Sequence, residues 1–144
     1  MIRKAEIRDA KTVAELAARL WPEHSVEELE TEFGELLAGE DCAVFLSEQD
    51  GSAVGFAQCQ LRHDYVEGTD SSPVGYLEGV YVAEPYRNQR IASALLAACE
   101  DWAREMGCTE FASDCELKNT DSLRFHLAAG FTEANRIICF VKEL

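Results

Sequence analysis

The chain has 144 residues and a mass of 16.0 kDa, one domain's worth of interior, because two domains would each have too small a core. With 47% apolar and 28% charged residues, 9 Gly and 3 Pro, the composition excludes a disordered, fibrous or collagen-like chain. Lys and Arg number 13 against 27 Asp and Glu, and the resulting net charge of -14 disfavours nucleic acid and anionic membranes as partners while attracting polycations.

The opening Met1-Ile2-Arg3-Lys4-Ala5-Glu6-Ile7-Arg8-Asp9 has charges where a signal peptide needs an apolar core. No later apolar run approaches the roughly 20 residues of a membrane span, so a cytoplasmic protein is expected. Ile2 to Ile7 alternates like a strand, and Val13, Leu16, Ala17, Leu20 and Trp21 recur at helical spacing. Ser25-Val26-Glu27-Glu28 reads as a capping box opening a second helix, with Val26, Leu29, Phe33 and Leu36 inward. Strands are expected at Ala43 to Glu48 and Ala53 to Tyr65, joined by Gln49-Asp50-Gly51-Ser52 with its Asp-Gly hairpin signal.

A loop at Thr69 to Pro73 leads to Gly75-Tyr76-Leu77-Glu78-Gly79-Val80-Tyr81-Val82, too continuously apolar for an edge and therefore a central strand. From Arg87 onward, Ile91, Leu95, Cys99, Trp102 and Met106 mark one face of a long helix that Gly107 ends at C′. Thr109 to Asp114 is a further strand, Asn119 an N-cap for a helix through Ala129, and Gly130-Phe131 its stop before a last strand at Arg136 to Val141. Strand, two helices, three strands, helix, strand, helix, strand implies an α+β fold of α/β type, a mixed sheet with helices against it, forming a single domain over residues 1–144. A cleft is expected near the ends of the central strands. The cysteines at 42, 59, 99, 108, 115 and 139 form no CxxC pair and have no His at finger spacing, so no metal is expected and they read as mostly buried, reduced thiols.

The strand ending at Val82 runs through Glu84-Pro85-Tyr86-Arg87-Asn88-Gln89-Arg90-Ile91-Ala92 into a helix. Such a turn leaves backbone N–H groups converging at the positive end of the helix dipole, a geometry that binds phosphate. Taken alone, the turn reads first as an ordinary connection with solvated arginines. Together with Asn119 and the helix ending Phe125-His126-Leu127-Ala128-Ala129-Gly130-Phe131, it resembles the GNAT superfamily of N-acetyltransferases. That resemblance implies acetyl-CoA as acetyl donor, with its pyrophosphate on Arg87, Asn88, Gln89, Arg90, Ile91 and Ala92, and Asn119 near the pantetheine arm. Arg90 stands where the superfamily usually has Gly, and is expected to keep a negative φ.

A more specific resemblance covers nearly the whole chain. Leu20-Trp21-Pro22, the run Arg62-His63-Asp64-Tyr65-Val66-Glu67-Gly68-Thr69-Asp70-Ser71-Ser72-Pro73-Val74, Tyr76-Leu77-Glu78-Gly79, and Cys108 to Asp114 are similar to the aminoglycoside 6'-N-acetyltransferases. It implies that Trp21, His24, Tyr65, Glu78 and Asp114 line an aminoglycoside pocket, that the backbone of Val80, Tyr81 and Val82 pairs with the pantetheine, and that the chain is a homodimer. An acidic contact of that family falls here on Asn135, with Glu133 two residues away.

Residue chemistry, taken by itself, agrees. A multiply charged amino sugar needs carboxylates to replace its water and aromatic faces to lie against. Carboxylates also hold the amine as ammonium, so Glu78, Asp114 or a water between them must accept a proton before attack. His126 occupies the position of the superfamily's Tyr that protonates the leaving thiolate, and could donate as imidazolium or as neutral N–H; on a helix with Leu123 and Leu127 it is equally a structural histidine. An acetyltransferase for a polyamine or peptide amine, or a non-catalytic acyl-CoA-binding module, remains open from the residues alone.

Overall fold

In the computed structural model, which describes residues 1–144, each element grows from a local signal that its packing then completes. The elements are β1 (Ile2–Lys4), α1 (Ala10–Leu20), α2 (Val26–Ala38), β2 (Cys42–Gln49), β3 (Ser52–Arg62), β4 (Val74–Val82), α3 (Ile91–Glu105), β5 (Phe111–Ser113) and α4 (Thr120–Ala128), with 3-10 turns at Ile7–Asp9 and Glu84–Tyr86. One five-stranded sheet runs in the order β1-β2-β3-β4-β5, antiparallel except for the parallel pair β4 and β5. This is the expected mixed sheet. β4 is interior, as its apolar run requires, although the middle strand is β3.

Side-chain alternation splits the core across the sheet. Val44, Leu46 and Phe56 pack against α1 and α2, while Ala43, Ala57, Cys59 and Leu77 pack against α3. The β2–β3 hairpin turns on Asp50 and Gly51, both at positive φ as a two-residue primed turn demands. The carbonyls of Ala103 and Arg104 accept the N–H groups of Cys108 and Gly107, so α3 ends in a Schellman cap with Gly107 at φ +90.

Four expectations need correction. The first strand stops at Lys4, because the Asp9 carboxylate takes the Glu6 N–H and the Arg3 guanidinium and curls the next residues into a 3-10 turn. The strand beginning at Ala53 ends at Arg62, short of Tyr65. The capping box is half made: the Ser25 hydroxyl accepts the Glu28 N–H at 3.1 Å, but the Glu28 carboxylate lies 3.5 Å from His24 Nδ1. The last strand, Arg136 to Val141, does not form: no residue after Ala128 is in a regular element, and Ile137, Ile138, Phe140 and Val141 are exposed. An apolar run has strand potential, but it becomes a strand only by pairing with a sheet edge, and here it pairs with none.

Four cysteines (Cys42, Cys59, Cys99, Cys108) are buried thiols, while Cys115 and Cys139 are exposed. No helix is long and apolar enough to cross a membrane.

Candidate active site

β4 pairs with β5 only from Gly75 to Leu77, and from Glu78 to Val82 it continues with no β5 partner, so the sheet splays open there. On its other side the β3 pairing slips at the same point: Gln58 faces Gly79 and Cys59 faces Leu77, leaving Glu78 as an extra, bulged residue. A bulge bends the strand and re-aims the side chain it carries. The opening and the candidate carboxylate therefore coincide for one backbone reason.

Around Glu78 the structure links four side chains, from β3, from β4 and from the residue that follows β5. Arg62, at the end of β3, donates from Nη2 (2.8 Å) and Nε (3.2 Å) to Glu78 Oε1. Its guanidinium lies 3.6 Å from the centre of the Tyr76 ring, a cation–π stack, and the Tyr76 hydroxyl donates to Asp114 Oδ2. Burial and then the Asp114 bond push the Tyr76 phenol up, so it stays a donor. Burial works against the Arg62 charge, but Glu78 outweighs it and the group moves up. Glu78 and Asp114, expected as the acceptor-side carboxylates, are thus gathered into one cluster.

Trp21 caps α1 and lies with its indole edge on Gly79, where an added Cβ would sit 2.8 Å from the ring. It also meets Phe56 edge-to-face, so it serves the core as well as the opening. His24, Tyr65 and Asn135 do not join the cluster. His24 is exposed between Glu23 and Glu28, and Tyr65 is 76% exposed. Asn135 donates from Nδ2 to Glu67 at 2.9 Å, and Glu133 pairs with Arg136.

On the far side of the opening, His126 Nδ1 is 2.7 Å from the Ser122 carbonyl, and Nε2 is 2.7 Å from Ser113 Oγ. A carbonyl only accepts, so Nδ1 carries a proton, while Ser113 Oγ lies between His126 Nε2 at 2.7 Å and the Leu77 carbonyl at 3.3 Å and has one hydrogen to share between them. His126 is thus tied to the Ser122 backbone on one side and to Ser113, which also reaches the β4 backbone, on the other. The ring packs on Phe125 and Phe131, so the structural reading also has support.

Below β4 the chain passes Glu84–Tyr86 into α3, whose first turn has no side-chain cap; the first carbonyl–amide bond there is Ala94 N–H to Arg90 O. The amides of Ile91, Ala92 and Ser93 precede that bond and are suited to an anion. Arg87 donates from Nε to the Val82 carbonyl at 2.8 Å, tying the turn back to β4. The expectation of a negative φ at Arg90 fails: Arg90 is at φ +62 and Asn88 at φ +64. The turn needs a left-handed residue at the helix entrance, and Arg90 adopts it despite its Cβ. Asn119 caps α4 by accepting the Ser122 N–H at 3.1 Å, which fixes its carboxamide oxygen. No group of three or more His, Cys, Asp or Glu could hold a metal ion.

Residues 10–131 match the acetyltransferase (GNAT) family. The chain belongs to that family. It is 44% identical over 130 residues to the aminoglycoside N(6')-acetyltransferase type 1 of Serratia marcescens, covering 90% of this chain and 89% of the relative. The protein of the same name from Stenotrophomonas maltophilia is 45% identical over 140 residues, covering 96% and 90%. Among solved structures, AAC(6')-Iy in complex with the bisubstrate analog CoA-S-monomethyl-acetylneamine matches at TM-score 0.95 and 38% identity, covering 100% of this chain and 98% of that one. The 6'-N-acetyltransferase AAC(6')-IG from Acinetobacter haemolyticus matches at TM-score 0.94 and 35% identity, covering 100% and 99%.

Within this GNAT domain, residue-type reasoning missed Arg62, Tyr76 and Ser113. Tyr76 was within reach, since it precedes Glu78 by the strand period of two and must share its face. Arg62 and Ser113 carry no spacing signal; only the β3–β4 register and the β5–α4 contact bring them in.

Proposed function

We propose that this chain transfers the acetyl group of acetyl-CoA to the 6'-amino group of aminoglycosides. The observation that carries this reading is the Glu78–Arg62–Tyr76–Asp114 cluster at the mouth of the β4–β5 opening, two carboxylates assembled where an ammonium-bearing sugar would lie. The names of the relatives support it, and so does the net charge of -14, which draws polycations by its summed field.

Acetyl-CoA fits the residues present. The uncapped first turn of α3, with Arg87, Asn88, Gln89, Arg90, Ile91 and Ala92, offers backbone donors for a pyrophosphate. The β4 backbone of Val80, Tyr81 and Val82, unpaired on the β5 side, offers a ladder for a pantetheine arm, with Asn119 near its far wall. When bound, acetyl-CoA supplies an activated thioester. This chain's residues do the rest: Glu78 and Asp114 hold the amine and one of them, or a water between them, takes its proton as the N–C bond forms and the C–S bond breaks. His126, behind Ser113, returns a proton towards the departing sulfur. Trp21, His24, Tyr65 and Asn135 form the rim that receives the remaining sugar rings. Proximity and a β4 backbone N–H on the thioester oxygen provide most of the acceleration.

The protein works in the cytoplasm, where acetyl-CoA is made, as a homodimer whose exposed apolar tail, Ile137 to Val141, is covered by a second copy. Release of free thiol from acetyl-CoA, measured with kanamycin, spermidine and buffer alone, tests the activity. Thiol release with kanamycin is the expected result; release with spermidine alone, or with neither amine, overturns the reading.

A further inference from the structure

We propose that the Arg62 guanidinium, seated on Glu78 and Tyr76, sets how readily a substrate ammonium held by Glu78 and Asp114 gives up its proton. The proposal rests on the aminoglycoside reading and assigns a role to a residue which that reading leaves idle.

The geometry leaves room for both cations at once. Both Arg62 nitrogens bond to Glu78 Oε1, and Oε2 accepts nothing from the protein. The Tyr76 hydroxyl bonds to Asp114 Oδ2, and Oδ1 likewise accepts nothing. One oxygen of each carboxylate is therefore free for an incoming ammonium while Arg62 stays in place. Arg62 is held there by three separate means: the two bonds to Glu78, the face of Tyr76 at 3.6 Å, and its position as the last residue of β3. A side chain with a single surface ion pair would swing away when a competing cation arrived; one stacked and doubly bonded is fixed.

The electrostatic consequence follows. Two carboxylates alone would stabilise the ammonium and resist the loss of its proton, helping binding and hindering attack. A fixed positive charge among them reverses part of that effect. The ionisable groups whose charges act on Arg62 or Glu78 include Tyr76 from β4, Asp114 just beyond β5 and Cys42 from β2, while His126 of α4 stands behind Ser113. Burial pushes the Cys42 thiol up to about 12 and the Tyr76 phenol up as well, so neither changes charge in the working range. Arg62 is the one cation in the cluster, and the acceptor amine feels its charge directly. Arg62 is thus a positioning and tuning residue: it trades affinity for the protonated drug against a larger fraction of reactive amine.

Arg62→Met keeps the stem against Tyr76 and removes the charge; Arg62→Lys keeps the charge without the fork. Two measurements are made on wild type and both variants: kanamycin binding by calorimetry without acetyl-CoA, and kcat for kanamycin from pH 6 to 9. For Arg62→Met the expected result is kanamycin bound several-fold tighter at pH 6.5. Its kcat should be about tenfold lower at pH 7 and recover as pH rises, the profile displaced upward by about one unit. Arg62→Lys should keep a pH profile close to wild type. Unchanged acetyl-CoA binding certifies that each variant is folded. Weaker or equal kanamycin binding by Arg62→Met, or a kcat loss equal at every pH, overturns the proposal and makes Arg62 a structural tie. Failure of the aminoglycoside reading looks different: wild type itself would neither bind nor acetylate kanamycin.

Discussion

The two ends of this chain are built to different standards of completeness. Up to Cys108 the molecule is a filled sandwich that contains every buried residue, with α1 and α2 on one face of the sheet and α3 on the other. After Cys108 no residue is buried: β5 is three half-covered residues, α4 buries none of its length, and the tail beyond Phe131 is exposed. The candidate site lies on the seam, with Arg62, Tyr76 and Glu78 from the filled part and Ser113, Asp114 and His126 from the open part. An opening between β4 and β5 is possible because the backbone ladder joining the two parts is only three residues long, the rest of the attachment being side chains such as Phe111, Phe125, Ala129 and Phe131 packed on the α3 side of the core. Stability and function are thereby separated along the chain, and substitutions in the two parts should behave differently.

The sharpest contrast is in folding. Phe56 is fully buried and meets Trp21 and Phe33 edge-to-face at 6.2 and 6.3 Å. Phe56→Ala should cost about 3–5 kcal/mol by lost transfer energy and a cavity that its neighbours cannot close. Against a total of about 5–15 kcal/mol, that change should appear as a large fall in the urea midpoint. A shift of only a few tenths of a molar would mean that the filled part is not what holds the chain together.

The same division explains what could be read from residues alone. In the filled part, period and turn chemistry agree with packing: Asp50-Gly51, Ser25, Gly107 and the α1 and α3 stripes all do what their local signals say. Errors there are small, such as the strand end at Arg62 or the 3-10 turn that Arg3 and Asp9 enforce. In the open part, Arg136 to Val141 has the composition of a strand and no strand forms, because pairing depends on an edge that the single chain does not bring to it. For the site, Glu78 and Asp114 were legible through the family resemblance and as carboxylates suited to an ammonium, and one lies mid-β4 and the other just beyond β5, joined through Arg62 and Tyr76. The cation between them was not legible, since a register slip at Glu78 decides that Arg62 can reach it. Arg90 at positive φ was misjudged for a related reason: its conformation is imposed by where α3 must start, not by its own preference.

Across the seam, the carboxylates should matter for turnover while leaving folding alone. Asp114→Asn keeps the Tyr76 bond's geometry but removes the charge offered to an ammonium. Loss of one charge-assisted hydrogen bond is worth about 1.5–3 kcal/mol, or roughly 10- to 150-fold in kcat/KM for an aminoglycoside, with acetyl-CoA binding and melting temperature unchanged. Glu78→Gln should fall in the same range. Wild-type kcat/KM in both amide variants would move the acceptor site elsewhere and take the substrate class with it.

A smaller effect, of opposite sign, is expected at the entrance to α3. Arg90 is exposed, donates no cap, and holds φ +62, a conformation that costs an L-residue about 1–2 kcal/mol. Glycine avoids that cost and adds about 0.5–1 kcal/mol of chain entropy loss on folding, so Arg90→Gly should gain roughly 0.5–1 kcal/mol net. Calorimetric melting should rise by about 2–4 °C, with acetyl-CoA affinity retained because backbone donors do the binding. A drop in that affinity would show that the Arg90 side chain itself holds the pyrophosphate.

The smallest effect on a single chain belongs to the tail, and it is informative because it should be nearly nil. Phe140 is 91% exposed, so Phe140→Ser removes no contact within the chain, and unfolding of dilute protein should stay within about 0.5 kcal/mol of wild type. The tail is nonetheless anchored at its root, where Ala134 lies against Gly68 and Asn135 donates to Glu67, while Ile137, Ile138, Phe140 and Val141 beyond it stay exposed. Five apolar residues in sequence, exposed and unpaired within their own chain, suit a second copy that covers them. Under that arrangement Phe140→Ser weakens association about tenfold or more, seen by sedimentation as dissociation at concentrations where wild type remains paired, while the dilute-chain melting curve does not move. If instead the variant melts several degrees lower at every concentration, the tail packs on its own chain in solution, and the open part is completed from within.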